Sequence, residues 1–192
     1  KVVERAQKMF QSIKKGENPV PPDLRGVVYG TVARHGEGVE HAKMIEMYKT
    51  LTLHEEKNRI GAALGYFKDK ELLQKTLDFS ISEYVRSQDM MRFTGIVAGN
   101  SFGREIVWKF TKKNWNFILE RYGGQKDLPY FIEPFGSFQT EKDADDIEKF
   151  FSKNPAPGAA RAIEQTLERI RAKVLWVARD KKNIASWLRK KK

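Results

Sequence analysis

An all-α stack of antiparallel helix pairs is the fold this sequence predicts, and three observations predict it. Apolar residues recur at spacings of three and four in segment after segment, the period of one helix face. Acids or hydroxyls precede these segments and glycine or proline follows them, as helix starts and stops require. No stretch alternates strictly over two residues between turn signals, so the strand pattern is missing.

The first helix is expected over residues 2 to 15, with Val3, Ala6, Phe10 and Ile13 on one face, stopped by Gly16 and the Asn18-Pro19-Val20-Pro21-Pro22 run. Asp23 reads as the N-cap of the next, through Leu24, Val27, Val28 and Val32 to Gly36 and Gly38. Residues 39 to 49 form a third, with Ala42, Ile45 and Tyr48 on one side. Thr52-Leu-His-Glu55 has the form of a capping box for a helix through Glu56, Ile60 and Leu64 to about Gly65. Asp69 to Phe79 follows with Leu72, Leu73 and Leu77 inward. Asp89 reads as the cap of a segment through Met90, Phe93, Ile96 and Val97, closed by Gly99.

Residues 101 to 122 read as one long helix. Phe102, Ile106, Phe110 and Phe117 make one stripe and Trp108 and Trp115 a second, so neighbours are expected on two sides. Gly123-Gly124 ends it. The stretch 125 to 139, rich in aromatics but broken by Pro129, Pro134 and Gly136, is either a short helix and turn or a buried loop. Thr140 and Asp143 form another capping arrangement, with Phe150 and Phe151 further along. After the Asn154-Pro155-Ala156-Pro157-Gly158 turn, Ile163, Leu167, Ile170, Val174 and Val177 repeat at 4, 3, 4 and 3, and Asn183 to Leu188 closes the chain. Residues 23–36 and 88–103 share an acidic start, an apolar middle and a glycine finish, the kind of self-similarity expected of two-helix repeats.

Length and composition agree. A chain of 192 residues, 40% hydrophobic and 32% charged, falls in the range of one domain with a real core, and residues 1–192 are read as a single α-helical domain. The absence of cysteine excludes disulfides, thiolate zinc sites, iron–sulfur clusters and cysteine nucleophiles. No apolar run reaches the length of a membrane span, and a cytosolic location is expected. The formal charge is +11, of which the segment from Arg171 to Lys192 supplies +8. Such a tail is compatible with anionic partners but equally with a solvated helix face, and no specific nucleic-acid or membrane partner is assigned.

The residues exclude several chemistries. His54-Glu55-Glu56-Lys57-Asn58 approaches a zinc-peptidase helix, but asparagine stands where the second histidine must be, so two imidazoles cannot reach one metal. His35, His41 and His54 are therefore read as polar surface or cap-packing residues, with no metal ligand and no catalytic residue assigned. Ser101 lacks the Gly-x-Ser-x-Gly elbow and the strand before it. Gly99, Gly103 and Gly123-Gly124 read as helix ends or close crossings rather than phosphate loops. In the run from Trp108 to Trp115 the tryptophans fall on one side and Lys109, Lys112 and Lys113 largely elsewhere, so it reads as core anchors flanked by solvated lysines.

A set of strings carries a resemblance. Pro22-Asp23-Leu24-Arg25, Glu55-Glu56-Lys57-Asn58-Arg59, Ala63-Leu64-Gly65, Glu71-Leu72-Leu73-Gln74, Val85-Arg86-Ser87-Gln88-Asp89, Gly103-Arg104 with Trp108-Lys109-Phe110, Asn114-Trp115, Tyr122-Gly123-Gly124, Asn154-Pro155-Ala156-Pro157 and Val174-Trp176 stand in an order and spacing that resembles the C-terminal domain of the M1 zinc aminopeptidases. The likeness is greatest to the cytosolic puromycin-sensitive group and covers nearly the whole chain. It implies a HEAT/armadillo-like superhelix that covers a catalytic domain lying upstream in the same polypeptide. The Zn2+ and the residues that hold it would belong to that upstream domain, leaving this portion without a cofactor. The portion would line the chamber that receives peptide substrates. Basic residues on an inner face would attract the carboxylate of a peptide, and Arg86, Arg92 and Arg104 are the candidates. Salt bridging between neighbouring helices is the competing role for each arginine. A free-standing scaffold for protein partners is the alternative function, and nucleic-acid binding through the basic tail is a third.

Overall fold

The computed structural model describes residues 1–15, 20–124 and 126–191. Among them lie eleven α-helices, two short 3-10 turns and no strand, in agreement with the all-α expectation. They divide into two compact units, Lys1–Lys113 and Asn114–Lys192.

The first unit holds α1 (Val2–Lys15), α2 (Pro22–His35), α3 (Gly38–Thr50), α4 (His54–Leu64), α5 (Lys70–Ser80), α6 (Ser87–Gly99) and α7 (Arg104–Lys113). Helices α2, α4 and α6 pack in succession, α3 lies against α4, α5 against α6, α1 covers α2, and α7 closes on α5 and α6. This is the layered helix-pair order of a HEAT-like stack.

Helix α1 buries Ala6 and Phe10, and Phe10 meets Tyr29 edge-on at 6.0 Å. The Gly16, Asn18 and Pro19 stop lies outside the described residues. Helix α2 starts one step earlier than expected: Pro21 is its N-cap and Pro22 its first residue, because a fixed φ and a missing N–H suit the first turn. Asp23 sits inside that turn, where its charge answers the helix dipole. In α3 the buried line is His41, Met44 and Tyr48, while Ala42 faces solvent, a correction of one position. A histidine can occupy that line because His41 Nε2 lies 2.9 Å from Thr76 Oγ1 and its ring meets Phe67 edge-on at 5.1 Å. The surface reading of His41 is therefore corrected as well.

Thr52 does not cap α4. Leu53 holds the N-cap position without a side-chain bond, and the Glu55 carboxylate is taken by the Arg59 guanidinium. The next residue, Glu56, is buried and accepts from Tyr29 Oη at 2.7 Å, Arg59 Nη1 at 3.0 Å and Arg25 Nη1 at 3.4 Å, which binds α4 to α2. A buried carboxylate is tolerated when donors surround it. Asp69 caps α5 by accepting from the Glu71 and Leu72 amides at 2.8 and 3.0 Å. Helix α6 opens at Arg86 rather than Asp89, and the two side chains pair across its first turn.

The expected helix over 101–122 is two helices. Asn114, at φ −103° and ψ 16°, lies between α7 and α8 (Trp115–Tyr122), and asparagine favours such a local break over helix interior. Trp108 and Trp115 are both buried, as core anchors must be, and Lys109 and Lys113 are exposed.

The second unit holds α8, α9 (Pro129–Ile132), α10 (Glu141–Lys153) and α11 (Ala160–Lys190), with 3-10 turns at Glu133–Ser137 and Pro157–Ala159. The aromatic stretch after Gln125 is thus a short helix and turn, burying Leu128, Phe131, Ile132, Phe135 and Phe138. Trp115 meets Phe150 and Phe151 at 5.7 and 5.2 Å, and Tyr122 meets Phe131 at 4.7 Å. The capping box at α10 is present: the Asp143 amide donates to Thr140 Oγ1 at 3.1 Å and the Thr140 amide to Asp143 Oδ2 at 3.2 Å. Helix α11 runs unbroken through Asn183 to Leu188, since no glycine or proline interrupts it.

Candidate functional site

Among the described residues no group of three or more histidine, aspartate and glutamate side chains is placed to hold a metal. His35 and His54 are exposed, and the buried His41 is engaged by Thr76. Burial, with the positive charge of Lys75, lowers the His41 pKa to about 4, so the ring is neutral at physiological pH.

The first unit holds a cleft of about 440 Å³ lined by Arg34, Tyr66, Lys68, Ile96, Asn100 and Phe102. Its walls come from the last turn of α2, the α4–α5 linker, the end of α6 and the turn before α7. The Arg34 guanidinium lies over the Tyr66 ring at 4.2 Å, so charge and aromatic face share one wall. Asn100 pins the opposite parts together. Its amide nitrogen donates to the Gly65 and Phe67 carbonyls at 2.9 and 2.7 Å, and its Oδ1 accepts from the Phe102 amide at 3.0 Å. Two glycines permit the approach: a Cβ on Gly65 would meet Ile96 Cγ2 at 2.6 Å, and one on Gly103 would meet the Val97 carbonyl oxygen at 2.4 Å. Gly103 is thus a close crossing, as its sequence context suggested. Two cations beside an aromatic wall form a site for an anionic group attached to an apolar one.

The three candidate arginines occupy different places. Arg86 is exposed at the start of α6 and holds Asp89 through Nε–Oδ2 at 2.7 Å and Nη2–Oδ1 at 3.3 Å, a pair within the first turn of one helix rather than between neighbouring helices. Arg92 is exposed on α6, four and seven residues before Ile96 and Gly99, so helical geometry sets it on the face that leads into the cleft. Arg104 is half-buried at the start of α7, two residues beyond Phe102, and its Nε has no hydrogen-bond partner. Arg86 and Arg92 thus stand at different turns of one helix, and only Arg92 is aligned with cleft residues. Arg34 and Lys68 escaped the sequence reading because they are widely separated in the chain and belong to no periodic stripe. Arg34 lies in the last turn of α2 and Lys68 in the α4–α5 linker, neither on an apolar face that periodicity picks out.

Comparison with known proteins identifies the family of this chain. Residues 1–172 match the model of the ERAP1-like C-terminal domain. The chain is 31% identical over 170 residues to Aminopeptidase M1 of Arabidopsis thaliana, covering 85% of this chain and 19% of that protein. It is 31% identical over 176 residues to Aminopeptidase N of Mus musculus, covering 88% and 18%. The Alanine/arginine aminopeptidase of Saccharomyces cerevisiae is 31% identical over 192 residues, covering 96% and 22%. The chain therefore spans about a fifth of the length of these relatives. On this match over residues 1–172 and these identities, the chain belongs to the ERAP1-like C-terminal domain family of the M1 aminopeptidases.

Proposed function

We propose that residues 1–192 form one domain of a longer cytosolic zinc aminopeptidase of the puromycin-sensitive group, covering an upstream catalytic domain and lining the chamber that receives the peptide. Zn2+ and the bond-breaking residues belong to that upstream domain; this domain binds and orients the far end of the substrate. The observation that carries the reading is the cleft of Arg34, Tyr66, Lys68, Asn100 and Phe102, whose paired cations and aromatic wall suit a peptide carboxylate and the side chain next to it. Arg92 supplies a further cation on the same face of α6, and Arg104 lies beyond Phe102. Arg86, held by Asp89, contributes least.

The test uses the full polypeptide and matched peptides with free or amidated C-termini. Arg34→Gln, Lys68→Gln and Arg92→Gln are expected to raise KM for free-acid peptides roughly threefold to tenfold each, the worth of one solvent-exposed charged contact of about 1 kcal/mol. Hydrolysis of amidated peptides and of single aminoacyl amides should be unchanged, and Arg86→Gln should be neutral. Equal losses on aminoacyl amides would contradict the reading. So would peptidase activity of the zinc-supplemented 192-residue chain that disappears on mutating its own residues.

A further inference from the structure

Asn100 lines the cleft, yet its side chain is engaged inside the protein. Its amide nitrogen donates to the Gly65 carbonyl at 2.9 Å and to the Phe67 carbonyl at 2.7 Å, so both N–H groups are taken, and its Oδ1 receives the Phe102 amide at 3.0 Å. The neighbours fix which way the amide faces, since turning it over would set an oxygen against two carbonyl oxygens. A group bonded in this way has little to offer a ligand directly. What it can do for a ligand is to hold other residues in place.

Those residues are the walls of the cleft. Residues 65–69 join α4 to α5 and carry Tyr66 and Lys68 on either side of Phe67. On one side this linker is anchored by packing: Phe67 is fully buried with its ring edge-on to His41 at 5.1 Å, and Tyr66 lies under the Arg34 guanidinium at 4.2 Å. On the other side Gly65 lets it approach α6, where a Cβ would meet Ile96 Cγ2 at 2.6 Å. Apolar contact of that kind is non-directional, so it sets a distance but not a register. Two directional bonds from one planar amide set both. No ion pair among the described residues holds Lys68, so the place of its charge follows the backbone that Asn100 fixes. Phe102 is exposed and is tied through its own amide to the same side chain. We infer that Asn100 is the positioning residue of the cleft, holding Lys68 and Tyr66 at the spacing from Phe102 that a peptide carboxylate and the side chain next to it require. This rests on the reading of the cleft as the seat of the peptide C-terminus.

The test uses the full polypeptide and the paired peptides with free and amidated C-termini, and reads the ratio of their KM values, in which effects common to both peptides cancel. Asn100→Leu keeps the approximate size of the side chain and removes its hydrogen bonds. It is expected to shrink the free-acid preference roughly threefold to tenfold, through KM and not kcat. Hydrogen exchange of the backbone over residues 65–69 should quicken severalfold in the same variant. The deciding readout is coupling. Lys68→Gln should add little to Asn100→Leu, since the lysine is already misplaced, whereas Arg92→Gln, on α6 itself, should add its full effect. Full additivity with Lys68→Gln, or an unchanged ratio in Asn100→Leu where Lys68→Gln alone lowers it, overturns the positioning role and leaves the peptide cleft intact. A preference lost in Asn100→Asp but kept in Asn100→Leu overturns it too, because an added charge then suffices. So does an Asn100→Leu protein that hydrolyses no substrate, in which case Asn100 supports the fold and not the cleft. Equal KM values for the two peptides in the unaltered protein, unmoved by Arg34→Gln, overturn both readings together.

Discussion

At Gly103 a single missing carbon decides whether two helices can meet. A Cβ there would stand 2.4 Å from the Val97 carbonyl oxygen and 2.6 Å from Val97 Cγ1, and a backbone atom has little room to retreat. Gly103→Ala is therefore expected to destabilise the protein by about 1–3 kcal/mol, the range for overpacking a core. Gly65→Ala, which meets Ile96 Cγ2, should cost less if that side chain rotates. Gly99→Ala meets nothing within 4 Å at the end of α6 and should be neutral or slightly stabilising. Urea denaturation midpoints of the three variants check the order. The sequence exposes the glycines but not which of them is crowded, because the crowding atoms come from a turn made of other residues.

Helix boundaries show where local chemistry is sufficient. The Thr140 and Asp143 pair is legible because both partners lie within one turn and no competing partner claims either. Thr140→Ala removes the hydroxyl that accepts the Asp143 amide and should destabilise by about 1 kcal/mol, with Thr140→Ser retaining most of the stability. Thermal unfolding measures the difference. Thr52 and Glu55 have the same spacing and fail, since Arg59 one turn later outbids the Thr52 amide for the Glu55 carboxylate. The α3 face was displaced by one position because an apolar pattern cannot register a buried histidine. His41 becomes a core residue only through Thr76, which lies on another helix and itself donates toward the Leu64 and Leu72 carbonyls at 3.2 and 3.0 Å. The break at Asn114 was hidden by aromatic stripes that continue across it.

The stability of the whole molecule inherits that histidine's pH dependence. In the folded chain His41 titrates near pH 4, whereas an unfolded histidine titrates near 6.5, so between these values the unfolded state binds more protons. The contribution is complete above about pH 6.5 and is lost as pH falls toward 4, on the order of 2–3 kcal/mol. Denaturant midpoints measured from pH 7.5 down to 4.5 should fall accordingly, and His41→Gln should flatten that part of the profile. Burial, helped by the Asp89 carboxylate, likewise raises the Tyr48 hydroxyl to about 12, so it stays protonated through that range. Fold class and family were readable from the chain alone, because periodicity and ordered strings are properties of neighbours in sequence. The cleft was not, because Arg34, Tyr66 and Asn100 are joined only by the stacking of three helix pairs.

The side-chain amide of Asn100 faces two carbonyls, and it is followed in the chain by the exposed Ser101. Spontaneous deamidation would put an oxygen where that nitrogen stands, turning two attractions into two repulsions beside the cleft. Asn100→Asp makes the same exchange, so it is expected to weaken the hold on the linker between the fourth and fifth helices.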